Sequence, residues 1–325
     1  MTEFKKIIIS RTDSIGDVML TLPMAGIIKA QNPNCEIIFI GKNYTEDVIA
    51  CSENIDRFIS WDVLQNQPFA KGAEEINLIN ADAVFFALPN KALAKMCLKA
   101  DIPLRIGVAN RAFHWLYCNE RPMFSRKKSD LHESQLNLKL LEKHFNIGNN
   151  SLRKIATYSG FSSKTELSPS LSKFIDSNKK SVILHPKSQG SAIEWSLKNF
   201  QSLAEKLALE GYNVFVTGTE KEGLEIRPNF KFSSKIIDLS GKMTLIELIA
   251  FIDKCDVLVA ASTGPLHLAA ALNLHALGLY SCKRPIHPGR WAPIGKNADY
   301  LVTQNEEDSL DVITVDNVLN RIINH

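Results

Sequence analysis

Two aspartates, Asp13 and Asp17, stand four residues apart in the stretch RTDSIGD that runs from Arg11 to Asp17. An apolar run ends just before it at Ser10, and a helical pattern follows it. A carboxylate at such a strand end can serve as general base toward a hydroxyl. An aspartate in the first turn of a helix also complements the helix dipole, an effect worth ~0.3–1 kcal/mol. The pairing of two aspartates in one loop favours chemistry, with Asp17 the first candidate and Asp13 the second. Gly16 lets another chain or a substrate approach the backbone closely. With one glycine the stretch is no dinucleotide fingerprint, which needs three.

A second stretch, ASTGPLH from Ala261 to His267, concentrates donors where a strand turns into a helix. Ser262 and Thr263 bring hydroxyls, Gly264 opens the turn, and Pro265 sits where a missing N–H costs nothing. Free backbone N–H groups with His267 one turn on make an anion site suited to a diphosphate, while Ser262 or Thr263 in a purely structural role caps the helix. A third stretch, HPKSQG from His185, offers Lys187 and Ser188, a point charge and a hydroxyl for phosphate. In TGTEKE from Thr217, Glu222 rather than Glu220 is the candidate acceptor for ribose hydroxyls. The cations Arg126, Lys127 and Lys128 can meet an anionic acceptor or a lipid surface, although most such runs are solvated. No metal site is expected, because no Asp-x-Asp pair and no His/Cys cluster with ligand spacing occurs.

These stretches need rigid elements to position them, and the sequence supplies two series. Strands are expected at 6–10, 36–40, 58–61, 83–87 and 105–108, with helices at 17–31 and 90–100. The rhythm restarts with strands at 181–185, 213–217, 257–260 and 275–280 and helices at 197–210, 245–255, 264–272 and 314–323. Apolar runs that do not alternate suit strands covered on both faces, as in parallel sheets. The expectation is an α/β protein of two Rossmann-like doubly wound domains facing a central cleft. They span 1–165 and 178–325, joined within the Ser- and Lys-rich segment 160–180 by a linker at about 166–177, and the last helix is free to pack across. A chain of 325 residues accommodates two domains. The net charge of +3 gives no reason to expect nucleic acid. No signal-like or membrane-spanning run is present, so a cytoplasmic protein is expected. The six cysteines lack C-x-x-C spacing and read as reduced core thiols.

The order of motifs is similar to that of the ADP-heptose:lipopolysaccharide heptosyltransferases, glycosyltransferase family 9. The resemblance rests on the Arg11–Asp17 stretch with Leu20–Pro23, then Arg105–Gly107, His132–Glu133 and His185–Pro186 with Trp195. It continues through Leu239–Gly241 with Leu245, Ser262–His267 and Arg284–Trp291, and covers about nine-tenths of the chain. It implies a GT-B arrangement, an acceptor-binding first domain and a nucleotide-sugar-binding second one. It further implies transfer with inversion and without a metal or other cofactor. It puts the catalytic aspartate on Asp17, diphosphate binding on Thr263, Gly264 and His267, and nucleoside contacts near Glu222 and Met243. Two positions depart from the family's pattern: Ser262 replaces a common aspartate, and Ile193 replaces a lysine, for which Lys187 is the available substitute.

The function expected is transfer of a sugar, heptose first, from an ADP-type donor to a lipopolysaccharide core or related glycan. Transfer of another sugar from another nucleotide is the alternative within the class, and a non-catalytic nucleotide-sugar binding protein is the alternative outside it. The expected partners are the donor and a lipid-linked saccharide at the inner membrane surface. Contact there would be peripheral, through Arg126–Lys128 with Phe113 and Trp115 nearby, and Gly16 joins Arg126, Lys127 and Lys128 as a candidate for binding the acceptor. A monomer is expected.

Overall fold

The computed structural model describes residues 3–306 and 308–325. Its contacts divide the chain into an N-terminal unit, Met1–Ser162, and a C-terminal unit, Ser163–His325. In the first, the strands β1 (Lys6–Ser10), β2 (Glu36–Gly41), β3 (Arg57–Ser60), β4 (Ala83–Phe86) and β5 (Leu104–Ile106) form one sheet in the order β3-β2-β1-β4-β5. In the second, β6 (Ser181–His185), β7 (Asn213–Val216), β8 (Ile236–Asp238), β9 (Val257–Ala261), β10 (His275–Tyr280) and β11 (Ala298–Val302) follow the order β11-β10-β9-β6-β7-β8. Every strand pair is parallel. Each unit is therefore a doubly wound sheet whose order reverses at one point, between β1 and β4 and between β6 and β9.

The central strands are buried on both faces, as their unbroken apolar runs require: every residue of β4, β6, β9 and β10 is buried. The two strands that the sequence did not announce, β8 and β11, lie at sheet edges. β8 has three residues, and β11 is half-exposed along ADYLV, so neither shows the apolar density of a central strand.

One difference from expectation bears on function. The stretch expected as a single helix at 17–31 forms two, Ile15–Met19 and Leu22–Gln31. Pro23 has no N–H to give the carbonyl of Met19, so one continuous helix is interrupted there. Asp17 thus sits on a one-turn helix of its own, capped by Ser14. The segment 166–177 holds a short helix, Pro169–Ser172, with Leu171 buried, and belongs to the C-terminal unit. The last helix, Val315–Ile323, lays Val318 and Ile322 into the same core as Leu203 and Leu207 of the helix Leu197–Leu209. All six cysteines are free thiols. Among the described residues, no helix is long and apolar enough to cross a membrane.

Candidate active site

In the N-terminal unit the reversal of strand order places the ends of β1 and β4 side by side, and the Arg11–Asp17 turn leaves β1 at that point. Arg11 is 3% exposed and organises the turn. Its Nε donates to Asp13 at 2.7 Å, Nη2 donates to Asp17, and Nη1 donates to Glu133 at 2.9 Å. Nη1 also faces the Ala87 carbonyl, just past β4, and Asn137 Oδ1, both at 3.4 Å.

Glu133 and Asn137 come from the helix Glu133–Leu138, which starts in a capping box on His132. Asn137 in turn donates to the Leu20 carbonyl at 3.0 Å and to Thr21 Oγ1 at 3.1 Å, at the interruption between the two short helices. Burial alone disfavours the charge on Arg11. Asp17, Asp13 and Glu133 together outweigh that penalty and hold the guanidinium protonated. Burial likewise pushes the Asp13 carboxyl up, to about 6, because Arg11 is shared among three carboxylates and relieves it only in part.

Solvent reaches this network at its two aspartates, Asp17 with a side chain 16% exposed and Asp13 with one 27% exposed. Arg11 grips one carboxylate oxygen and the Ser14 hydroxyl the other. Gly16 is buried beside it. Arg126 departs from its expected place on a surface cluster. Its guanidinium turns inward to Glu133, to the Ala87 carbonyl at 2.8 Å and to Asn137 at 3.0 Å, sharing all three acceptors with Arg11. Lys127 and Lys128 stay exposed. The reason is charge balance: Glu133 is buried, and two guanidinium groups answer the three carboxylates Asp13, Asp17 and Glu133.

In the C-terminal unit the reversal lies between β6 and β9, and it brings together the turns that carry Lys187, Ser188 and the 261–267 stretch. Thr263 caps the helix Gly264–Ala271 by backbone alone. Its side chain makes no capping bond, and Oγ1 is buried with no hydrogen-bond partner. Pro265 occupies the first turn, and His267 is buried behind it. An orphaned hydroxyl beside an open helix start is a ready place for a ligand oxygen. Ser262 instead hydrogen-bonds the buried Tyr280 hydroxyl, which donates to the Trp291 carbonyl at 2.6 Å.

Lys187 and Ser188 are already engaged by a residue that sequence reasoning passed over. Glu194 accepts from Lys187 Nζ at 2.7 Å, Ser188 N–H at 2.7 Å and Ser188 Oγ at 2.8 Å. Glu225 holds Lys187 from another side at 3.0 Å. These bonds raise the Lys187 ammonium above its ordinary range, Glu194 contributing most. Partial burial works against the Glu194 charge, and the hydrogen bonds from Lys187 and Ser188 overcome it and hold the carboxyl low. Glu222 is likewise committed: its Oε2 accepts from Thr219 N–H at 2.6 Å and Thr219 Oγ1 at 2.9 Å in a capping box. Met243 is half-buried just before the capping residue Thr244. Their two loops join through Gly241 N–H, which donates to the Gly218 carbonyl at 2.9 Å. Gly241 has φ of +72°, and a Cβ there would come within 2.1 Å of Glu220, so this close approach needs glycine.

Arg11, Glu133, Asn137 and Glu194 were not assigned roles from the sequence. Arg11 and Glu133 lay inside quoted motifs, so an unpaired cation beside two aspartates was the available signal. Glu194 had none beyond its place next to Trp195. Among the described residues, no group of three or more His, Cys, Asp or Glu side chains is placed to hold a metal.

Residues 88–317 match the family model described as glycosyltransferase family 9 (heptosyltransferase). A Haemophilus influenzae protein, provisionally named a glycosyltransferase, is 27% identical, the match covering 98% of this chain and 96% of that one. The lipopolysaccharide core heptosyltransferase OpsX of the same organism is 24% identical over 94% of this chain and 86% of its own. The solved structure of Escherichia coli heptosyltransferase WaaC with ADP superimposes with a TM-score of 0.77 at 18% identity, covering 98% of this chain and 99% of that one.

Two outcomes follow from the charge arrangement. Between its unfolded value of 3.8 and about 6, folded Asp13 keeps a proton that the unfolded chain releases. Stability therefore falls as pH rises through that window. Measured by calorimetry from pH 4 to pH 7, wild type should lose a few degrees of Tm relative to Asp13→Asn, which has no proton to lose; parallel curves would show that Asp13 titrates normally. The second concerns Glu194→Gln, which preserves an acceptor for Ser188 and frees Lys187 from one carboxylate. ADP should then bind about fivefold more tightly at low salt, on the order of one partly exposed ion pair. Equal affinities in titration calorimetry would show that Lys187 does not reach phosphate.

Proposed function

The chain belongs to glycosyltransferase family 9, the heptosyltransferase family, and on that premise we propose that it transfers heptose from an ADP-linked donor to a lipopolysaccharide core or related glycan, with inversion and without a metal. That it is a glycosyltransferase follows from the family match and its heptosyltransferase relatives. The observation that carries the mechanism is the Asp17 carboxylate, fixed by Arg11 and Ser14 where solvent still reaches it. A base held in one orientation removes the proton of an acceptor hydroxyl as that oxygen attacks the anomeric carbon. The bond from that carbon to the nucleotide diphosphate breaks, and negative charge collects on the leaving group. The N–H groups at the start of Gly264–Ala271, the Thr263 hydroxyl and His267 offset that charge as preorganised donors. Asp13 and Gly16 belong to the same turn, and Arg126 joins its network through Glu133, Asn137 and the Ala87 carbonyl. Glu222 and Met243 border the nucleoside.

The acceptor in this proposal is a lipid-linked saccharide at the inner face of the cytoplasmic membrane, used by a monomer. A second reading, transfer of a different sugar from another nucleotide, is favoured by the two carboxylates on Lys187 and by Ile193 and Ser262 at the departing positions.

A thermal-shift series with ADP, UDP, GDP and CDP separates the two readings. Selective stabilisation by ADP, lost in a Thr263→Ala/His267→Ala double variant, is the expected result; selective stabilisation by another nucleotide would discard the heptose donor and keep the transferase. Asp17→Asn should keep the nucleotide response and lose on the order of 100-fold or more in turnover. Wild-type turnover in that variant would remove Asp17 from the mechanism.

A further inference from the structure

The three residues Trp115, Leu116 and Met123 are 62%, 70% and 90% exposed, an unusual display of large apolar side chains on one segment. They are not loose. The short helix His114–Tyr117 carries the first two, and the Trp115 indole N–H donates to the Ala109 carbonyl at 2.9 Å. Arg121 lies over the same ring, 4.5 Å from its centroid. Ala109 N–H donates to the Pro122 carbonyl at 3.1 Å, which brings Met123 to the same tip. Beneath, His114 is fully buried, stacks on Phe86 of β4 at 5.9 Å and binds the Val108 carbonyl through Nδ1 at 2.8 Å. The apolar tip is thus anchored to the sheet and turned outward.

The charges along the same segment are mostly positive. Between residues 105 and 130 stand Arg105, Arg111, Arg121, Arg126, Lys127 and Lys128 against Glu120 and Asp130. Glu120 is answered by Lys143 at 2.7 Å and His144 at 3.0 Å, whereas Arg111, Lys127 and Lys128 are exposed. An exposed Trp/Leu/Met tip in a segment that also carries exposed cations matches an anionic bilayer, whose interface takes up aromatic and aliphatic side chains while its headgroups attract lysine and arginine.

We propose that this tip, Trp115, Leu116 and Met123 with Arg111, Lys127 and Lys128, docks the N-terminal unit on an anionic lipid surface. Two residues separate Met123 from Arg126, at most about 11 Å of chain. Arg126 shares Glu133 with Arg11, which grips Asp17. The tip is therefore linked to the base proposed above through Arg126, Glu133 and Arg11. The inference leans on that reading only for the benefit of a lipid-linked acceptor, and membrane binding itself needs no donor.

Flotation of the full chain with vesicles tests it, using phosphatidylcholine alone and phosphatidylcholine with one-third phosphatidylglycerol. Wild type should float with the anionic vesicles and stay behind with the neutral ones. Leu116→Ser/Met123→Ser should weaken binding at least about tenfold. Lys127→Gln/Lys128→Gln should weaken it about thirtyfold, two surface charges' worth. Both variants should retain the wild-type Tm and nucleotide response, which keeps this result separate from the fate of the catalytic proposal. No flotation of wild type, or equal flotation of all three proteins, overturns the inference. So does a wild-type dimer that Leu116→Ser/Met123→Ser converts to monomer without changing flotation, since the tip then fits a second copy of the chain.

Discussion

A guanidinium removed from water persists only where matching charge and hydrogen bonds replace its hydration. The rest of the N-terminal site depends on how Arg11 meets that condition. Its three nitrogens reach Asp13, Asp17 and Glu133, so the turn after β1, the end of β4 and the helix Glu133–Leu138 are joined through one side chain. Removing Glu133 alone would leave two guanidinium groups crowded together in a buried setting. Removing Arg11 would leave Asp13, Asp17 and Glu133 facing one another with Arg126 as the remaining cation. The high carboxyl of Asp13 is the residue of this imbalance, since three negative charges share two positive ones. Asp17 sits in the same network with its oxygens oriented by Arg11 and Ser14 and still reachable by solvent.

The C-terminal unit solves a related problem with opposite emphasis. Its turns too leave neighbouring strands at the point where the order reverses, where open α/β sheets place their ligands. Here the buried hydroxyl of Thr263 remains unsatisfied while Lys187 is doubly satisfied. An orphaned donor next to open helix N–H groups costs free energy until something fills it, and a lysine held by two carboxylates has little charge left to offer. The helix start, more than the lysine, is the stronger feature for an anion in this unit.

Much of this was legible in the residues. The runs KIIIS, SVILH and VLVAA are too apolar to alternate, and each became a strand buried on both faces. The strand-end positions of Asp17, Lys187 and Thr263 followed from the same runs. What escaped was set by distant partners. Nothing near Arg126 shows that Glu133 will draw it inward and separate it from Lys127 and Lys128. Glu194 reads as a surface acid until β6 and its loop bring Ser188 against it. β8 and β11 escaped because edge strands need less apolar sequence, so periodicity thins where the sheet ends. The helix interruption before Pro23 was readable from the missing N–H, although the apolar pattern ran on across it.

The Arg11–Glu133 contact spans 122 positions of sequence. All five strands of the first sheet are complete by residue 106, well before Glu133. As the chain is synthesised from its N-terminus, the sheet can therefore assemble while Arg11 still lacks its deepest partner, and closing so long a loop comes late. Until the segment carrying Glu133 and Asn137 arrives, the turn with Asp17 is tethered at the strand end and by the Tyr44 hydroxyl, which donates to the Asp13 carbonyl at 2.6 Å. The scaffold and its reactive corner thus mature at different times, and the nascent unit acquires its shape before its ordered carboxylate.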